Sequence, residues 1–289
     1  MPAGTVRYWS WLFAAPACRA PLLGIYALGA EWQALMHPAA ESSAARLKLA
    51  WWQEEMQRLA AGSPVHPISR YLAALPGASA VDFSPLQSAV SAAAAQVSGV
   101  PLERGGDLEP HARSLWGNPL LLASQLADAA AGDPDAVHRA GIDAPMLAGI
   151  RHCSAALAAA EYLAKAIRDY RQDARIGRIP FAVDELMAAG VENADLAADT
   201  APAHLQSYLE GLHRRAAGYF DTAAGALPPA QRSPHRHLLV RAALGREHMR
   251  QAAERREPGR PRPRLRWRLR DMLRAWTVAR RAQRDNGDL

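Results

Sequence analysis

At 289 residues, 49% of them hydrophobic, the chain can bury a sizeable core as one domain over 1–289, and it lies far from the polar, highly charged composition of disordered proteins. Lysine supplies only Lys48 and Lys165 of the 34 basic residues (34 − 2 = 32 arginines), so abundant arginine beside abundant alanine reads first as compositional bias. The net charge of +6 is concentrated after Arg246, and no docking motif accompanies those arginines, which excludes nucleic acid as an expected partner.

From the N-terminus, the apolar stretch Tyr8 to Ala17 is preceded by one charge, Arg7, and stopped by Arg19, which argues against a secretory leader. No stretch approaches the roughly 20 continuous apolar residues that span a bilayer. Cys18 and Cys153 lack metal-type or redox spacing and read as buried apolar residues of a reducing compartment, so a cytoplasmic location is expected. Alanine and leucine dominate, β-branched residues are few and no stretch alternates with period two, so the fold class is all-α. Helices are predicted at Arg19–Leu35, Ser42–Ala61, Pro67–Ala74, Pro85–Ser98, Leu108–Ala131, Pro145–Arg175, Val183–Ala188, Pro202–Ala226 and Ser233–Arg256, with a last one after Pro263. Gly62-Ser63-Pro64, Pro76-Gly77, Gly132-Asp133-Pro134, Gly190 and Pro228-Pro229 punctuate them.

The Pro145–Arg175 segment is the most informative. At about 30 residues it would extend roughly 45 Å, enough to cross a domain. Ala156, Leu157, Ala160, Leu163, Ala164 and Ile167 form an apolar stripe of small residues, after which charge arrives abruptly with Arg168, Asp169, Arg171, Asp173, Arg175 and Arg178. Asp169 and Asp173, four apart, lie on one helix face. Such a pair can hold Mg²⁺, a hard cation that commonly bridges carboxylates to phosphates, with arginines meeting the phosphate oxygens. The same spacing also fits a plain ion-pair ladder of Lys165, Asp169 and Asp173, contributing about 0.2–0.5 kcal/mol per pair.

The run Ile167-Arg168-Asp169-Tyr170-Arg171-Gln172-Asp173-Ala174-Arg175-Ile176-Gly177-Arg178-Ile179-Pro180, with Asp184-Glu185-Leu186 and Gly190-Val191 after it, resembles the second acidic motif of the squalene/phytoene synthase family. Pro16, Arg19, Tyr26 and Leu28 are similar to that family's opening helix, and Arg46, Trp51-Trp52, Glu54-Glu55, Leu59, Gly62 and His66-Pro67 to its second. The likeness runs to about Ala226. It implies an isoprenoid-synthase-type helical bundle around a central cavity, in which two Asp-rich motifs bind Mg²⁺ and prenyl diphosphates for head-to-head joining. Carried onto this chain, it implies Asp169 and Asp173 as metal ligands, Arg19, Lys165, Arg168 and Arg178 as diphosphate contacts, and Tyr26, Trp32, Gln33 and Tyr162 as cavity wall.

At the first Asp-rich motif, however, the chain reads Ala30-Glu31-Trp32-Gln33-Ala34-Leu35-Met36-His37, placing Gln33, Ala34 and His37 where aspartates are expected. In the second, Lys165 and Tyr162 stand where amides are usual, and Lys165 could substitute for a metal's charge. The loss of the first motif is similar to that of the family's respiratory complex I assembly-factor branch. Two readings follow: a non-catalytic relative that binds prenyl diphosphate or assists a protein partner, which is favoured, and an active Mg²⁺-dependent prenyltransferase with an altered metal site.

After Pro263, Leu265, Leu269, Met272, Leu273 and Trp276 recur at helical spacing between Arg264, Arg266, Arg268, Arg270 and Arg274. This basic amphipathic helix, 263–289, fits either an anionic membrane surface or packing against the domain. His235 and His237, two apart and without an acidic or cysteine neighbour in sequence, are not expected to hold a metal. Trp51 and Trp52 are expected in the core.

Overall fold

The computed structural model describes residues 3–132, 145–254 and 264–285, with the side chains of 145–146, 253–254 and 264–268 left out. Every regular element among them is helical, and the only β-type contact is an isolated parallel bridge between Leu102 and Ala182. The principal helices are α1 (Val6–Leu12), α2 (Pro16–Met36), α3 (Ser42–Ala60), α4 (Pro67–Ala73), α5 (Pro85–Val97), α6 (Leu108–Ala112) and α7 (Asn118–Ala131). They continue with α8 (Pro145–Arg175), α9 (Val183–Ala188), α10 (Asn193–Ala197), α11 (Ala203–Gly225), α12 (Pro229–Arg232), α13 (Arg236–Glu254) and α14 (Arg264–Arg284).

The sequence expectation holds for most of these and departs in informative places. The stretch around Tyr8 is a short amphipathic helix, α1, capped by the Thr5 side chain, which accepts from the Tyr8 amide. The helix expected over Leu108–Ala131 is interrupted by a π turn at Arg113–Gly117. Pro119 cannot donate to the carbonyl four residues earlier and its ring crowds that carbonyl, so the chain widens there before resuming as α7.

Helix α8 is the axis of the molecule. Its stripe of Ala156, Leu157, Ala160, Leu163 and Ile167 is buried, and α11, α13, α7 and the π turn pack around it. A glycine allows α13 to approach α11 closely: a Cβ on Gly245 of α13 would stand 2.3 Å from the Phe220 ring of α11. One hydrophobic cluster runs from Ala14 to Ala282, with Trp32, Phe181 and Phe220 among its largest fully buried side chains. Trp52 joins it, packing edge-on to Trp32, whereas Trp51 is 40% exposed and lies against the Arg58 guanidinium, a correction to the paired core role expected for them. No described helix is long and apolar enough to cross a membrane.

The C-terminal helix α14 also differs from expectation. It docks through Asp271, Ala275, Ala279 and Ala282, which face α13 and α1, while Leu269 (57% exposed), Leu273 (57%) and Trp276 (47%) point away. The apolar stripe read from sequence is therefore largely the outer face; Met272 alone of its described members packs inward, and Leu265, Arg264, Arg266 and Arg268 lie outside the described side chains.

Candidate functional site

The acidic face is formed by the way α8 ends. Gly177 takes φ +75°, a left-handed conformation that side chains resist, and no atom would obstruct a Cβ there, so glycine is needed for the backbone alone. The Arg178 amide donates to the Asp173 carbonyl at 2.9 Å and the Gly177 amide to the Ala174 carbonyl at 3.0 Å, the paired bonds of a Schellman cap. This cap turns the chain back on itself and sets Arg178 beside Asp173. The Arg178 guanidinium then donates to the Met36 carbonyl at 2.8 Å, tying the second acidic region to the C-terminal end of α2.

Between the two aspartates lies an ammonium. Lys165 Nζ is 3.4 Å from Asp169 Oδ2 and 3.9 Å from Asp173 Oδ2, while Arg168 grips Asp169 with Nε at 2.7 Å and a second nitrogen at 2.9 Å. The two carboxyls consequently diverge. Burial raises the Asp169 pKa, but the Arg168 hydrogen bonds and charge, with Lys165, outweigh it and hold the group below the usual carboxylate range. Asp173 is only 6% exposed, and burial, reinforced by the Asp169 charge, holds it above that range against the pull of Lys165, Arg178 and His37.

Asp173, Lys165, Tyr162 and Arg178 line a cleft of about 590 Å³, a volume that includes its solvent-filled mouth. Its other walls include Met36 of α2, Gln96 of α5, Gly99, Val100 and Leu102, and His111 of α6. The Tyr162 hydroxyl donates to the Pro180 carbonyl at 3.1 Å, and burial pushes its pKa up to about 12, so it remains a neutral donor. His111 stands edge-on to the Tyr162 ring, its pKa lowered by burial, with Nε2 buried and without a protein hydrogen-bond partner. Sequence reading passed over Gln96 and His111 because neither belongs to a spaced motif; only the packing of α5 and α6 on α8 brings them in.

Other expected residues fall elsewhere. Arg19 does not line the cleft: it donates to the Leu12 carbonyl at 3.2 Å near the start of α2, and the 36 − 19 = 17 residues to Met36 correspond to roughly 25 Å of helix. Tyr26 and Trp32 line a second, smaller cavity with Arg7, Trp116 and Arg241. There the Tyr26 hydroxyl accepts from Arg241 at 2.9 Å, and Arg241 is held by Glu161 through two nitrogens. Gln33 accepts from Arg7 at 2.8 Å, so its amide serves that second cavity. Glu31, Ala34 and His37 are exposed, and among the described residues lining the cleft Asp173 is the sole carboxylate. Asp184 and Glu185 have structural partners: Asp184 accepts from the Gly105 amide at 2.9 Å, and Glu185 pairs with Arg215 at 2.6 Å.

The sequence pattern of the squalene/phytoene synthase family matches residues 2–271, nearly the whole chain. The chain belongs to this family. Its fold is similar to that of a dehydrosqualene synthase solved in complex with a ligand, with a TM-score of 0.69 at 14% identity over 98% of this chain and 92% of that one. It is also similar to the squalene synthase HpnC from Alicyclobacillus acidocaldarius, with a TM-score of 0.64 at 20% identity over 85% of this chain and 87% of the other. No curated protein sequence matches the chain.

Proposed function

We propose that this squalene/phytoene-synthase-family chain, read as one domain, binds a prenyl diphosphate in the cleft beside Asp173 without joining two of them. The observation that carries this is the Lys165 ammonium between Asp169 and Asp173, at 3.4 Å and 3.9 Å. A hard divalent cation needs oxygen donors and an uncompensated negative charge. Here the two carboxylates are already met by Lys165, Arg168 and, through its field, Arg178, and α2 offers no opposing carboxylate at the cleft. The donor set is therefore a poor Mg²⁺ site. The cleft is instead cationic, Lys165 and Arg178 against the one carboxylate Asp173, suited to the oxygens of a diphosphate, while Met36, Val100, Leu102 and Ile179 offer an apolar lining to the start of a prenyl chain.

The two remaining aspartates favour the rival reading, an active prenyltransferase with a reduced metal site. Purified protein given Mg²⁺ and farnesyl or geranylgeranyl diphosphate separates the two: binding without pyrophosphate release is expected. Mg²⁺-dependent release that disappears in Asp169→Ala overturns the binding-only reading. The anionic face of a membrane is the proposed location of the ligand's source, because Leu269, Leu273 and Trp276 are exposed on α14 and Arg280 lies 5.0 Å from the Trp276 ring.

A further inference from the structure

Outside the cleft, the fold brings together three side chains that the sequence keeps far apart. Cys18 is in the first turn of α2, and His235 and His237 flank the start of α13. One ligand-type atom from each lies within 4.8 Å of the other two, and all three residues are buried, at 1%, 2% and 0% exposure. The reading that a two-residue spacing keeps the histidines off one face applies to a helix. His235 precedes α13, where the backbone is not yet helical, so the two rings converge at 6.1 Å between centroids.

The hydrogen bonding of the rings is what points to a ligand. His237 has neither ring nitrogen hydrogen-bonded, although it is completely buried. A buried imidazole without partners has given up its hydration for nothing in return, so such an arrangement calls for an occupant. His235 places Nε2 3.2 Å from Asp128 Oδ1 of α7, within ion-pair distance, and its Nδ1 is buried without a hydrogen-bond partner. A carboxylate beside one ring nitrogen favours the proton there and leaves the lone pair of the other nitrogen free, the arrangement that orients histidines toward metals. Cys18 Sγ lies 3.3 Å from the Pro234 carbonyl, the residue next to His235, so the thiol sits on the same turn as the rings.

We infer that Cys18, His235 and His237 bind a zinc ion, with Asp128 orienting His235 from behind. One sulfur and two imidazoles are the borderline-soft donors that Zn²⁺ prefers, and they suit neither Mg²⁺ nor Ca²⁺. The two positive charges of the ion would meet the Cys18 thiolate and the Asp128 carboxylate, with the Arg236 guanidinium also acting on Cys18 and His237. On binding, the Cys18 sulfur forms the bond to zinc and its proton leaves to solvent; the histidines bind as neutral rings and release none. No fourth His, Cys, Asp or Glu joins the cluster among the described residues. The site would clip the first turn of α2 to α7 and to the start of α13, independently of the acidic cleft.

Full-length protein produced without a histidine tag and stripped with chelator should bind one Co²⁺ per chain. The complex should show the visible bands of a tetrahedral ion and a near-ultraviolet thiolate-to-cobalt band, both bleached by one equivalent of Zn²⁺. Because the chain has two cysteines, the thiolate band must vanish in Cys18→Ser and persist in Cys153→Ser. Asp128→Asn, which keeps all three ligands, should weaken Co²⁺ binding by about 10- to 100-fold. Absence of the thiolate band in wild-type protein overturns the inference whether or not any variant folds, as does a band that survives Cys18→Ser. An unchanged affinity in Asp128→Asn would remove the orienting role assigned to that carboxylate.

Discussion

Replacing Lys165 with methionine keeps most of the stem and removes the charge between the two aspartates. At 3.9 Å a unit charge pair is worth about 4 kcal/mol at an effective dielectric near 20 and about 1 kcal/mol in water. Lys165 is 34% exposed, so the lower part of that range applies, about 1–2 kcal/mol. A diphosphate that uses Lys165 as a counter-charge should then bind roughly 5- to 30-fold more weakly. Titration calorimetry with farnesyl diphosphate in the presence of EDTA measures this directly. In Lys165→Met, adding Mg²⁺ should restore part of the loss, because the freed carboxylates can now accept the ion, whereas wild-type affinity should be indifferent to Mg²⁺. Equal or tighter binding by Lys165→Met in EDTA would refute the idea that the ammonium does the work of a metal.

Gly245→Ala forces a methyl to within 2.3 Å of Phe220, and overpacking of this kind should lower stability by about 1–3 kcal/mol, seen as a fall in the thermal midpoint with the helical circular dichroism retained below it. Glu247 accepts from Arg250 at 2.7 Å on its own helix and from Arg274 at 2.9 Å across to α14; the Arg250 hydrogen bonds, with those of Gln251 and the Arg274 charge, outweigh burial and pull its pKa down to about 2. A depressed carboxylate contributes stability that is complete above its unfolded value near 4.5 and is lost as pH falls toward 2. Hydrogen exchange in α14 should therefore accelerate between those limits in the wild type; if Glu247→Gln shows the same added acid sensitivity, the assignment to this carboxylate fails. Removing residues after Pro261 should abolish co-sedimentation with anionic liposomes, and the triple change Leu269→Ser, Leu273→Ser, Trp276→Ser should weaken it while leaving α14 docked. Undiminished binding by the truncated chain would exclude this helix as the membrane contact.

Helical class, most helix positions and family membership were legible along the chain because they rest on local pattern: the buried stripe of α8, the punctuation between helices, and the Asp169 to Pro180 run with its capping Gly177. Local pattern also predicted that Lys165 and the two aspartates share a face, which the distances bear out. It failed where residues of one face have different jobs. Gln33 and His37 are one helical turn apart, yet Gln33 serves Arg7 while His37 acts on Asp173. On α14 two stripes compete, and the alanines rather than the leucines face the core, because small side chains let α13 and α1 come close.

The sequence by itself determined what the chain could make locally: an Asp-bearing helix end, a left-handed glycine turn, and an α2 that contains no aspartate. Only the tertiary structure decided what those parts meet. Arg178 reaches Met36 because the glycine cap reverses the chain beside α2, and His111 and Gln96 enter the cleft because α6 and α5 pack on α8. Cys18 meets His235 through a contact whose sequence separation, 216 residues for Cys18 and Pro234, is beyond any periodicity. Periodicity reports which way a side chain points from its own helix; the partner at the other end of that direction is set by how the helices pack, and that is where the chemistry of both sites is assembled.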